Sequence, residues 1–351
     1  MDFTFSEDQL LFQESVKDFL INEVTPETIR AAWQTDTGRS DGLWQQFVEL
    51  GLTGITVPEA FGGLGMNELD FVLLAQEAGY VALSEPLVHS ALVAVPTILQ
   101  LGNSEFSAQW LPKIAAGEAK VVVGLALNAL VEDAHIADLL ILEKDGALYA
   151  VTPAQANLRY NESIDLGRKL FAVEFDVAAA TKLADGEAAQ QIINGALNRG
   201  ALAAAAQALG ATQRMIDISV QYTSERKQFG VAIGTFQAVK HHMANIAYKL
   251  EYAKTPVYRA AYALANDLSS AGRNVSHAKI VACEVADLAA KNSIQVHGAM
   301  GYTWEMDLHI FMKRAWALNS SYGTAGFHKQ RLAAYVFGDD ALLGAGNTFA
   351  A

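Results

Sequence analysis

Residues 187–224, 235–266 and 273–297 form three long segments, Ala-rich and amphipathic, joined by short connections. Helices of that length with short links bury their apolar stripes most readily against one another, which favours an antiparallel helical bundle for this part of the chain. Upstream the pattern changes. Between about 119 and 184 the runs "VVVGLAL", "ADLLILE", "ALYAVTP" and "KLFAVEFDV" are short, apolar and β-favouring, and Asp145-Gly146 marks a hairpin turn between two of them. Before 119 the signals are helical again. Ser6 with Gln9 makes a capping box, Phe5 with Leu10 a hydrophobic staple, and Leu43, Phe47 and Leu50 share one face that Gly51 ends. Gly62, Gly63 and Gly65 form an irregular loop, after which Asn67 caps the next helix. The chain therefore reads as mostly α with a small β domain: a helical domain over 1–118, the β domain over 119–184 and a helical bundle over 185–351.

Composition narrows the function classes. A net charge of −13 opposes binding to nucleic-acid backbones, which attract clustered Lys and Arg. Hydrophobic residues make up 52% of the chain, yet no run approaches the roughly 20 apolar residues that span a bilayer, so a soluble protein with surface buried against other subunits is expected. The single cysteine, Cys283, cannot form an internal disulfide, and "MDFTFSEDQLLFQ" lacks a basic region followed by an apolar core. These features point to the cytoplasm.

Two stretches attract a functional reading. In "QVHGAMGYTWEMDLHIFMKR", His297, Glu305, Asp307 and His309 are metal-ligand types, but a Gly-containing turn interrupts any common helix face and no paired Glu-x-x-His motif accompanies them. His241 and His242, adjacent on a helix, point about 100° apart and cannot converge on one ion. No metal is expected. In "SERKQFGVAIGTFQAVKHHMA", Arg226 ends one long helix and Gln237 opens the next, with Phe229 and Gly230 between. A guanidinium fork beside a helix N-terminus suits a pyrophosphate. Gln295 followed by Gly298 and Ala299 adds a side-chain amide and a backbone that another molecule can approach closely. Together they describe a nucleotide pocket.

At these residues the chain resembles the acyl-CoA dehydrogenase family. "YTSERKQFGVAIGTFQ" and "QVHGAMGYTWEMDLHIFMKRA" are similar to its two C-terminal signatures, and "LGLTGITVPEAFGGLGMNELDFVLLAQEAGY" to its Pro-Glu-x-x-Gly-Gly-x-Gly segment, so the likeness runs nearly end to end. The resemblance implies a barrel-like β domain, a C-terminal four-helix bundle and an FAD held at a subunit interface. It carries ADP contacts onto Arg226, Gln228, Phe229 and Gln237, and onto Gln295, Gly298 and Ala299, where Ala299 replaces the usual glycine. It also carries a cofactor contact onto Thr324.

Departures from the family pattern shape the functional expectation. The Glu-Pro-x-x-Gly-Ser-Asp and Trp-Ile-Thr types of segment that wrap the flavin are replaced by "VVVGLALNALVEDAHIADLLIL". The family's Tyr-Glu-Gly-Thr base motif matches "SSYGTAG", with Tyr322 in the glutamate's place, and the second family location for a base falls on Asn198. A phenol with an ordinary pKa of about 10 is a poor base near neutrality. No catalytic residue is therefore assigned. The expectation is a subunit resembling the shortened chain of bacterial α2β2 acyl-CoA dehydrogenases of steroid side-chain breakdown, serving an acyl-CoA substrate and sharing FAD with a complete homologue. The alternatives are a self-sufficient homo-oligomer whose base is Glu305 or His328, and a structural bundle protein without flavin.

Overall fold

A computed structural model describes residues 4–338, 341 and 343–347. In chain order the helices begin with α1 (Glu7–Glu23), α2 (Pro26–Trp33), α3 (Asp41–Glu49), α4 (Glu68–Tyr80), α5 (Leu87–His89), α6 (Val95–Gln100) and α7 (Ser104–Ala115). The strands β1 (Val121–Gly124), β2 (Val131–Glu132), β3 (Leu139–Lys144), β4 (Ala147–Val151), β5 (Ala156–Asn161), β6 (Leu170–Phe175) and β7 (Thr181–Ala184) follow. Then come α8 (Gly186–Glu225), the two-residue strands β8 (Lys227–Gln228) and β9 (Val231–Ala232), α9 (Gln237–Ala265), α10 (Ala271–His297), α11 (Leu308–Ser320) and α12 (Ala325–Val336). Among the described residues no helix is long and apolar enough to cross a membrane.

The chain forms two compact units. One comprises Met1–Pro26, Val72–Leu83 and Ala204–Ala351, the other Glu27–Phe71 and Ser84–Ala203. The first is the helical bundle. Within it α9 and α10 pack against each other, and both bury small residues, among them Ala260 and Ala261 of α9 and Ala278, Ala282 and Ala286 of α10. Gly79 and Gly210 allow close approach where α4 meets α8: a Cβ on Gly79 would strike the Gln207 backbone, and one on Gly210 the Gln76 carbonyl. The capping box at α1 forms as read from the sequence, Ser6 N–H donating to Gln9 Oε1 at 2.8 Å and Gln9 N–H to Ser6 Oγ at 3.2 Å. Phe5 sets its ring edge-on to Tyr258 at 5.0 Å, while Leu10, its expected staple partner, stays about half exposed. The larger aromatic face offers more apolar area than one leucine.

The second unit holds the sheets. β1 pairs parallel with β3, and β3, β4 and β7 run antiparallel; β2, β6 and β5 form a separate antiparallel sheet. Val122, Leu140, Leu142, Tyr149 and Val151 of the first sheet share one buried cluster with Phe171 of the second, with Leu158 and Val173 packed against it. The sheets face each other in a barrel-like arrangement that does not close. Asp145 and Gly146, both with positive φ (53° and 75°), turn β3 into β4 as the dipeptide predicts. In α3 the buried face is Trp44 and Phe47, whereas Leu50, expected on that face, is 51% exposed because it caps the helix ahead of the left-handed Gly51. Arg39 and Asp133 form a buried ion pair, with Arg39 Nη1 also donating to the Gly38 and Gly167 carbonyls at 2.8 Å. Burial pushes the Asp133 carboxyl up to about 7, against the pull of the Arg39 cation.

Candidate functional site

Three chain segments meet at one end of the bundle. The ring of Tyr222, in the last turn of α8, stacks on His297, the last residue of α10, at 4.3 Å and 21°, and its hydroxyl donates to the His297 carbonyl at 3.5 Å. His242, in the second turn of α9, hydrogen-bonds Asn292 of α10 at 3.2 Å. These contacts bring the end of α8, the start of α9 and the end of α10 together, so the two sequence stretches singled out above become neighbours.

The connection from α8 to α9 is a tight hairpin. Arg226 N–H donates to the Tyr222 carbonyl at 2.9 Å, the Arg226 carbonyl accepts from Ile233 N–H at 2.8 Å, and β8 pairs with β9 between them. Its tip is Phe229-Gly230, both left-handed, with φ of 54° and 83°. Glycine adopts that geometry freely; phenylalanine does not. Phe229 is nonetheless 93% exposed, with its ring edge-on to that of Phe236 at 6.2 Å. Gln237 opens α9 without a side-chain cap, which leaves first-turn amides and the positive end of a 29-residue helix available to an anion. Beside the hairpin lies a groove of about 430 Å³, lined in part by Val220, Ser224, Thr235 and Lys240.

At the end of α10 the side chains divide sharply. His297 is 3% exposed and donates through Nδ1–H to the Ser293 carbonyl at 2.7 Å, which fixes the neutral tautomer; burial lowers its pKa. Gln295, Gly298 and Ala299 face solvent. Gly298 has φ 58° and ψ −137°, a conformation essentially confined to glycine, and a Cβ built on it would meet nothing within 4 Å. The glycine is required by its backbone, and the space above that backbone is open.

Of the sequence-predicted contacts, Arg226, Gln228, Phe229, Gln237, Gln295, Gly298 and Ala299 thus lie exposed at one bundle end. Gln228 turns its amide back onto the Lys227 carbonyl at 2.8 Å. Thr324 does not join them. It caps α12, accepting from Phe327 N–H at 3.3 Å. The adjoining Gly323 carbonyl accepts from Lys279. Lys279 is sixteen residues from Gln295, about 24 Å along α10 at 1.5 Å per residue. Tyr322, half-buried, sits in that same distant turn with φ 52°. Asn198 lies half-buried in α8, next to an Arg199 whose Nε donates to Glu68 at 2.5 Å. His328 is fully buried, spends its Nε2–H on the Tyr322 carbonyl at 2.9 Å, and is held by burial at a pKa of about 4. Glu305 is exposed in the turn before α11, so its four-residue spacing from His309 is not a shared helix face. Among the described residues no three His, Cys, Asp or Glu side chains group as a metal site.

Sequence reasoning passed over Lys279 and the Glu68–Arg199 pair. The signal for Lys279 was present: a lysine inside the stripe of Val275, Ala278, Ala282 and Cys283, all buried. The pairing of Glu68 with Arg199, 131 residues apart, has no local signature.

The family model described as acyl-CoA dehydrogenase, N-terminal domain, matches residues 6–118, and the one described as acyl-CoA dehydrogenase, C-terminal domain, matches residues 189–337. The acyl-CoA dehydrogenase IpdE2 of Mycolicibacterium smegmatis is 29% identical over 333 residues, covering 95% of this chain and 100% of the relative. A chain of the ChsE4-ChsE5 complex from Mycobacterium tuberculosis superposes with a TM-score of 0.84 at 21% identity, covering 96% of this chain and 99% of that one. Butyryl-CoA dehydrogenase from Megasphaera elsdenii superposes with a TM-score of 0.83 at 19% identity, covering 95% and 99%. At these identities the structural likenesses show the fold.

Proposed function

The chain belongs to the acyl-CoA dehydrogenase family, and from that premise we propose that it is a subunit of a heteromeric, FAD-dependent acyl-CoA dehydrogenase that lacks its own catalytic base. In this reading it lends ADP-side contacts to an FAD shared with a complete homologue. A steroid-derived acyl-CoA is the proposed substrate class. When bound, the flavin supplies the hydride acceptor for α,β-desaturation of the thioester.

The observation that carries the reading is the exposed end of the bundle. Arg226 and Gln295 are solvent-facing, the start of α9 is uncapped, and the backbone at Gly298 is bare. This set fits a diphosphate: a guanidinium for charge, free amides at a helix N-terminus, and an approach that no side chain blocks. Phe229 would cover the nucleotide's apolar surface. The base positions argue for a partner, because neither Tyr322 nor Asn198 is a carboxylate and the one histidine beside Tyr322 is committed to a carbonyl. That a chain of this fold has been solved as a ChsE4-ChsE5 complex supports heteromeric assembly.

The test is co-expression with a complete acyl-CoA dehydrogenase homologue that carries an intact Tyr-Glu-Gly-Thr type base. The chain alone is expected to be colourless and inactive, and the complex to carry about one FAD per heterodimer. Arg226→Ala and Gln295→Ala are each expected to weaken flavin retention by the complex, Arg226→Ala by about tenfold or more, since it removes a charged hydrogen bond worth about 1.5–3 kcal/mol. Full flavin occupancy and turnover by this chain alone would overturn the reading.

A further inference from the structure

Two helices, α8 and α10, end at the exposed face of the bundle, and one ring contact registers their ends. Tyr222 is tied to Arg226 through the backbone, its carbonyl accepting the Arg226 N–H at 2.9 Å where α8 closes. Its ring stacks on His297 at 4.3 Å and 21°, and its hydroxyl donates to the His297 carbonyl at 3.5 Å. His297 in turn directly precedes Gly298, whose positive-φ backbone opens the exposed turn. The path from Arg226 to Gly298 therefore runs through two side chains that do not belong to the exposed set. His297 is 3% exposed and Tyr222 is half-buried.

Histidine is a costly residue for a buried joint. Its Nδ1–H donates to the Ser293 carbonyl at 2.7 Å, whereas its Nε2 is buried with no hydrogen-bond partner among the described residues. An apolar ring would stack on Tyr222 without stranding an acceptor. What the imidazole adds is the Nδ1–H bond to the preceding turn of α10, which fixes the rotation of the ring and with it the plane on which Tyr222 lies. Gly301 closes in from another side: a Cβ built there would come within 3.1 Å of the His297 Cβ and 3.2 Å of the Ile294 backbone, so the Gly298–Tyr302 turn folds directly onto the histidine. Other contacts keep the helices together. Deeper in the bundle Ser293 Oγ donates to the Met215 carbonyl of α8 at 3.5 Å, and His242 of α9 hydrogen-bonds Asn292 of α10 at 3.2 Å. Loss of the stack therefore changes how two helix ends meet and leaves the bundle closed.

We propose that Tyr222 and His297 are positioning residues for FAD: their stack sets the separation between Arg226 at the end of α8 and the Gly298 backbone at the end of α10, so that both meet one diphosphate. The proposal rests on the reading of this bundle end as the ADP-side flavin contact, and it adds to that contact a buried pair that touches no ligand itself.

Fluorescence titration of the flavin-stripped complex with FAD, and with FMN as the probe lacking the adenylate half, tests it. Tyr222→Leu and His297→Leu remove the stack and should each weaken FAD about two- to tenfold, the equivalent of one aromatic pair, while leaving FMN unchanged. The double variant should lose no more than the larger single. Tyr222→Phe keeps the ring and should bind FAD as the wild type does. His297→Phe keeps the stack without the Nδ1–H bond and should fall between the wild type and His297→Leu. With Arg226→Ala already in place, His297→Leu should have little further effect, because no guanidinium is left to register. A pair that only stabilises the fold would lower the thermal midpoint, weaken FAD and FMN alike and add to Arg226→Ala. That pattern, or unchanged FAD binding by Tyr222→Leu and His297→Leu, overturns the proposal. If His297→Leu does not fold, Tyr222→Leu and His297→Phe decide the matter, and where FMN binds too weakly to read, the cycle with Arg226→Ala decides it. Arg226→Ala alone reads the diphosphate contact. If it leaves FAD binding unchanged, the ADP-side reading fails, whereas a loss there with none in the Tyr222 and His297 variants removes only the positioning role.

Discussion

At the scale of single residues, burial sets the protonation of two histidines, and with it the response to acid. His89 accepts the Val123 N–H through Nε2 at 3.0 Å and is held by burial at a pKa of about 4, against 6.5 in an unfolded chain. His328 is held near the same value for the same reason, with the Lys279 and Arg331 cations adding to it and the Tyr322 carbonyl opposing it. A folded pKa below the unfolded one means the fold excludes the proton. The stability so gained is fully present above 6.5 and is lost as pH falls from there through about 4. For His89 the loss amounts to about 3 kcal/mol at about 1.4 kcal/mol per unit. Urea denaturation across this range should show the fall, and His89→Gln, whose amide oxygen can still accept from Val123, should flatten it. Asp133 acts with the opposite sign: its carboxyl is raised from 3.8 to about 7, so its contribution is present below 3.8 and disappears as pH rises through 7.

At the scale of elements, the β8–β9 hairpin stores strain for which the chain itself offers little return. Phe229 is left-handed and 93% exposed, so it costs backbone energy without burying its ring. Phe229→Asn should stabilise the isolated chain by about 0.5–1 kcal/mol, because asparagine tolerates that conformation, while lowering flavin retention in the complex. Thermal denaturation of the chain and flavin content of the complex, measured on one variant, would separate the two effects. A variant that loses stability instead would mean that Phe229 packs on its own chain. The hairpin was legible in part. "QFGVAIG" announces a turn through Gly230, but only the fold shows that the residue before it is also left-handed, since φ at a non-glycine position is imposed by strand pairing and leaves no mark in composition.

At the scale of the whole molecule, the unit built from Glu27–Phe71 and Ser84–Ala203 depends on its own buried ion pair. Arg39→Met would leave Asp133 buried without its cation and the Gly38 and Gly167 carbonyls without a donor. Such a change costs about 3–5 kcal/mol. Hydrogen exchange should rise throughout β1 to β7 while the amides of α9 and α10 keep their protection; equal loosening of both would show that the two units unfold together. The sequence alone determined the helical and β-rich stretches, the turn at Asp145-Gly146, and the residue types able to meet a diphosphate, because hydrophobic period, turn chemistry and donor inventory are local properties. It also supported the family, through motifs long enough to be specific. The tertiary structure alone decided that Arg226 and Gln295 share one end of the bundle while Thr324 caps α12 in a separate turn, that Glu68 pairs with Arg199, and that Lys279 is buried among carbonyls. Each of these is a meeting of residues tens of positions apart or more, and such meetings are fixed by how helices pack and which polar groups burial forces into pairs.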